Sequence, residues 1–95
     1  MRNPSVRGVI RKYELQRVPR QLVNLPDLAC ALHFGSMGEK LFVWFWVPQE
    51  QKKYKRAFFL KSDDEEVDGC HYIGTTILKF GQVKTTLHLF EEVHC

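Results

Sequence analysis

The chain has 95 residues, of which 44% are apolar and 26% charged, with a formal net charge of +3 at pH 7. That length allows one domain with an adequate core, the composition excludes an intrinsically disordered chain, and no apolar run approaches the roughly 18 residues that span a bilayer. A charge of +3 is also small for a domain held on nucleic acid by phosphate contacts alone, so anion binding is permitted and not required.

Residues 1–8, with Arg2 and Arg7 around Pro4, read as a basic arm on a single domain covering 1–95. Val9 to Leu15 follows as a half-buried edge strand, with Val9, Arg11, Tyr13 and Leu15 on one face and Ile10, Lys12 and Glu14 on the other. Gln21 to Leu25 is a shorter strand ended by the turn pair Pro26-Asp27. Ala29 to Phe34 is another, stopping at Gly35-Ser36-Met37-Gly38 in a hairpin signal. Lys40 to Pro48 comes next and is the most informative stretch. Its alternation puts Leu41, Val43, Phe45 and Val47 on a core face, and Phe42, Trp44 and Trp46 on a second face that a partner, ligand or further layer should cover.

Gln49 to Lys53 reads as a polar turn or one short helical turn, and Lys55 to Lys61 as a strand with Ala57 and Phe59 opposite Phe58 and Leu60. The acidic run Asp63 to Asp68 is the next loop. His71 to Phe80 and Val83 to Val93 are the last strands, joined through Gly81-Gln82. No segment has helical apolar spacing with caps. The expected fold is all-β, a single small antiparallel sandwich or partly open barrel of six to seven strands.

Several constellations bear on chemistry. Asp64, Glu66, Asp68 and Gly69 match part of a calcium-loop pattern, but its twelfth position is Thr75 and no bidentate glutamate follows, so a solvated loop is expected. Cys70-His71 and His94-Cys95 together carry four zinc-type ligands, against which stands the divergence of neighbouring side chains on a strand. The odd set Cys30, Cys70 and Cys95 suits reduced thiols. Cys30, inside an apolar strand, is expected to be buried and inert. No nucleophile elbow, HExxH or phosphate-binding glycine loop is present, so the reading is non-enzymatic, with no cofactor.

The block Lys52 to Arg56 interleaves cations with Tyr54 next to a strand bearing two tryptophans. A nucleotide could stack on Trp44, Trp46 or Tyr54 while Lys53, Lys55, Arg56 or Arg11 hold its phosphates. A charged hairpin that keeps a sheet edge soluble is the plainer explanation. For a protein partner, Asp63, Asp64, Glu65 and Glu66 could imitate a phosphate row, and Phe42 could join the contact.

The order Ile10-Arg11-Lys12-Tyr13-Glu14-Leu15, then Leu32-His33 before a glycine hairpin, Trp44 with Val47, Arg56 with Phe58, Tyr72-Ile73-Gly74-Thr75 and His88-Leu89-Phe90-Glu91 resembles a family of short proteins encoded mainly by phages and prophages. The likeness spans about residues 9–92 and departs from the family pattern at Ser62 to Gly69, where an acidic loop replaces a Gly-Thr-Gly-His loop. It implies a β fold and a phage accessory role, and it transfers no catalytic residue. The resulting expectation is a host-defence antagonist in the host cytoplasm, acting by stoichiometric binding of a host immune protein or a nucleotide second messenger. A homo-oligomer joined through part of the aromatic strand is also expected, with no membrane association. The alternatives are a small nucleic-acid-binding domain and a phage structural or assembly accessory protein.

Overall fold

The structure is a computed structural model that describes residues 7–49 and 52–93. Seven strands run in chain order: β1 (Gly8–Leu15), β2 (Arg20–Pro26), β3 (Cys30–Met37), β4 (Lys40–Pro48), β5 (Lys53–Lys61), β6 (Cys70–Phe80) and β7 (Val83–Glu92). They form two antiparallel sheets, one of order β1-β4-β3 and one of order β2-β5-β7-β6. The sheets do not close on each other as a barrel, so the architecture is a sandwich. No helix is long and apolar enough to cross a membrane among the described residues.

β4 sits at the centre of the smaller sheet because its alternating side chains serve two faces. Leu41, Val43 and Phe45 are fully buried and Val47 nearly so, while Phe42, Trp44 and Trp46 are half-buried on the outside. The opposite wall of the core comes from Leu25, Phe58, Leu78 and Leu89 of the larger sheet, with Phe34 and Leu15 closing it. Aromatic rings meet edge-on in the core: between ring centroids, Phe45 lies 5.8 Å from Phe58 across the two sheets and 5.7 Å from Tyr13 within its own sheet.

Several strand boundaries differ from the sequence expectation. β3 does not stop at Gly35 but continues to Met37, because the turn is the two-residue Gly38-Glu39, in which Gly38 adopts φ 64°. The residue before it, Met37, pairs with Lys40, so Gly35 and Ser36 belong to the ladder. Pro26 closes β2 from within and does not follow it. Of the expected turn Gln49 to Lys53, Glu50 and Gln51 lie outside the described residues, and Lys53 already begins β5.

Pro48 is tolerated at the end of β4 for a geometric reason. Its register partner is Gly8, whereas the neighbouring Gln49 N–H donates to the Arg7 carbonyl at 2.7 Å, so the β1 ladder does not call on the proline nitrogen. Phe45→Ala is expected to cost about 3–5 kcal/mol in urea unfolding, and Phe42→Ala, on the outer face of the same strand, under about 1.5 kcal/mol.

Candidate functional site

A concavity of about 450 Å³ opens beside the first half of β1 and is lined by Arg7, Gly8, Val9, Arg11, Tyr13, Val47, Pro48, Gln49 and Lys53. Strand alternation explains its chemistry. Val9, Arg11 and Tyr13 lie on the β1 face that Val47 and Phe45 share, and the β1 register places Arg11 opposite Phe45 and Val9 opposite Val47. Arg11 therefore projects from the inner face at the rim of the sandwich, where the cleft keeps it exposed. Lys53 enters from the start of β5. Among the described residues no carboxylate pairs with Arg7, Arg11 or Lys53.

The tryptophans point elsewhere. Trp44 and Trp46 belong to the outer face of the smaller sheet with Ile10, Lys12, His33 and Cys30, separated from Arg11 by the thickness of that sheet. His33 leans on Trp44 at 5.4 Å between ring centroids, and the Lys12 ammonium lies 4.6 Å above the Phe42 ring. The Trp46 indole lies directly over Gly8, where any Cβ would overlap Cε2, Cζ2 and Nε1. The aromatic residue that lines the cleft is Tyr13.

The basic block on β5 is divided among four surroundings. Lys53 lines the cleft; Lys55 pairs in register with Asn24 and is exposed; Tyr54 lies with Asp27 and Leu28 under Lys52, 5.7 Å from its ring. Arg56 is engaged inside the fold. Its Nε and Nη2 donate to Glu91 at 2.6 and 2.9 Å, and its Nη1 donates to the carbonyls of Pro26 and Ala29 at 2.9 and 3.0 Å. Both side chains of the pair are only 17% exposed. The hydrogen-bonded Glu91 carboxylate raises the Arg56 pKa further above its ordinary value, outweighing the opposing effect of burial. This arginine clamps the β2–β3 turn onto β5 and β7, and its donors are spent there.

Asp63, Asp64, Glu65 and Glu66 are exposed on the loop after β5. Asp63 Oδ1 lies 2.7 Å from His88 Nε2, His88 Nδ1 lies 2.8 Å from Thr75 Oγ1, and Thr75 Oγ1 lies 2.7 Å from the Tyr72 hydroxyl. Glu65 folds back to accept from the Ser62 N–H, and Asp64 adopts φ 71°. Among the described residues no three His, Cys, Asp or Glu side chains gather as metal ligands; His94 and Cys95 lie outside those residues.

Cys30 is a correction to the sequence reading. It is exposed, because it occupies the outer-face position opposite Trp46, with Sγ 3.4 Å from the Leu28 carbonyl. A bulge between Ala31 and His33 shifts the alternation of β3, which the apolar run itself did not show. Arg7 and Tyr13 are the cleft residues that sequence reasoning missed. The signal that could have found them is the shared face of Val9, Arg11 and Tyr13.

The family model described as a domain of unknown function, DUF7352, matches residues 7–94. The chain belongs to the DUF7352 family. The DUF7352 match begins at Arg7, so it takes in all seven strands and every residue that lines the cleft. No curated protein and no solved structure matches the chain.

Two outcomes test this description. Arg56→Met leaves the Glu91 carboxylate and the Ala29 carbonyl without the arginine donor, and leaves the Pro26 carbonyl with the Ala29 N–H alone, so a loss of about 3 kcal/mol is expected in urea unfolding. Gly8→Ala should displace the Trp46 indole, costing about 1–3 kcal/mol and shifting the tryptophan emission of the folded protein to longer wavelength.

Proposed function

We propose that this DUF7352 member is a stoichiometric, non-enzymatic binding protein that captures a phosphate-bearing ligand of nucleotide size in the basic cleft. The observation that carries the reading is the convergence of Arg7, Arg11 and Lys53 on one concavity of about 450 Å³ with no carboxylate among the described residues to neutralise them. Cations left unpaired around a concave wall favour an anion, and guanidinium groups suit phosphate oxygens by their forked donors. Tyr13 supplies an apolar ring for a base, taking the place that the sequence alone suggested for Trp44, Trp46 or Tyr54.

The resemblance to phage and prophage proteins supports a biological setting for such capture. In that setting the ligand is a nucleotide signal of the host, and the protein acts as a host-defence antagonist by holding the signal without turning it over. Sequestration needs only affinity and abundance. It is consistent with a site built from positioned cations and an aromatic ring.

Titration calorimetry with ADP tests the reading. Binding is expected to weaken about tenfold, or ~1.4 kcal/mol, for Arg11→Ala and again for Lys53→Ala, and to stay unchanged for Tyr54→Ala and Trp44→Phe. Affinity should also fall with salt along a shallow log–log slope set by the few phosphates contacted. No heat with ADP, pyrophosphate or a cyclic dinucleotide, or equal binding by the Arg11→Ala and Lys53→Ala variants, would remove the cleft from consideration. Native mass spectrometry of protein purified from its bacterial host then identifies any retained nucleotide.

A further inference from the structure

β1 ends the three-stranded sheet, and among the described residues no strand pairs with its outer edge. Because Arg7 is hydrogen-bonded to β4 through Gln49, antiparallel alternation turns the N–H and C=O groups of Gly8, Ile10, Lys12 and Glu14 toward that open edge. The next position in the series is closed. There the Gln16 N–H donates to Gln21 Oε1 and Gln21 Nε2 donates to the Gln16 carbonyl, at 2.9 and 2.8 Å. The open row carries Ile10 at 66% exposure and is flanked by Val9 at 50%. An unpaired, unbulged strand edge of this kind is a template for another strand.

We propose that β1 pairs antiparallel with β1 of a second copy, about a two-fold axis through Ile10, so that two three-stranded sheets become one of six strands. Charge selects this register. An axis through Arg11 would set two guanidinium groups directly opposite, and one through Lys12 would do the same with two ammonium groups. An axis through Tyr13 would drive Ile10 against Gln16, whose backbone Gln21 already occupies. An axis through Val9 would leave Gly8 and Ile10 as the only described residues bonded across it.

With the axis through Ile10 no like charges face each other. Gly8 meets Lys12, Val9 meets Arg11, and Arg7 meets Tyr13, while Ile10 meets its own copy. Ile10 is the register partner of Trp46, so an apolar row of Trp46, Ile10, Ile10 and Trp46 then crosses the joined sheets without interruption. The surface is self-complementary, as a two-fold interface requires. The two clefts come to lie on one face of the joined sheet, but the pairing stands on the edge geometry and does not depend on what the clefts bind.

Sedimentation equilibrium of the full chain is expected to show a dimer, and Ile10→Lys, which places two ammonium groups on the axis, to weaken association at least tenfold. Ile10 is exposed in the single chain, so the circular dichroism spectrum of that variant should be unchanged. Ile10→Cys adds a register test: Cα atoms of a hydrogen-bonded antiparallel pair lie about 5.5 Å apart, within disulfide reach. Mild oxidation is expected to give a disulfide joining the two substituted positions, found by peptide mapping, and Lys12→Cys to give none between its own two positions. A monomeric native chain, a dimer unmoved by Ile10→Lys, or a symmetric disulfide at position 12 in place of position 10 would overturn the proposal.

Discussion

The two-sided alternation of β4 is the constraint on which the rest of this sandwich depends. A central strand is hydrogen-bonded on both edges, so its side chains are the only means by which it makes contacts, and a shift of one residue would exchange Leu41, Val43, Phe45 and Val47 for Phe42, Trp44 and Trp46. The first set meets the larger sheet with almost no exposure, and the second remains half in solvent. Register, core composition and the aromatic outer face are therefore one decision. The same decision sends Arg11 to the inner rim and Ile10 to the outer face, because β1 follows β4 residue by residue.

Among the described residues, charge acts by different physics at the Arg56–Glu91 pair, at the Asp63–His88 contact and at the cleft. The Arg56–Glu91 pair is largely shielded and bidentate, and it secures backbone carbonyls of the β2–β3 turn, so its value lies in satisfying polar groups the fold would otherwise strand. The chain of hydrogen bonds from Asp63 through His88 and Thr75 to Tyr72 crosses the outer face of the larger sheet, tying the loop after β5 to β7 and β6. At the cleft, Arg7, Arg11 and Lys53 have no carboxylate partner among the described residues. Cations without a carboxylate partner are the ones free to meet a ligand.

How the edges are managed follows from the topology. β3 lies beside β6, where Ser36 Oγ donates to the Ile77 carbonyl, so that side of the sandwich is stitched by a side-chain hydrogen bond between the sheets. On the other side Gln21 closes the edge of β1 at Gln16, and no described residue pairs with the outer edge from Gly8 to Glu14, next to the cleft. The open edge and the unpaired cations thus occupy the same end of β1, and a partner or ligand arriving there would meet both.

Most of the fold was legible in the sequence, because hydrophobic alternation has the same period as the strand and glycine or proline marks its ends. The bounds of β4 and the faces of β1 and β4 are written in the residue pattern itself. By itself the sequence determined an all-β chain, its core face and its aromatic face. It could not place Cys30, since a bulge in β3 changes which face follows, nor could it tell Arg56 from Lys53 within one basic block. Tertiary structure decided those: only the pairing of β7 with β5 brings Glu91 to Arg56, and only the placement of β1 near the start of β5 gathers Arg7, Arg11, Tyr13 and Lys53 around a common space. Alternation is a local property that a single strand carries in its own residues, whereas a site made of residues from β1, β4 and β5 exists only once long-range pairing has fixed which strands are neighbours.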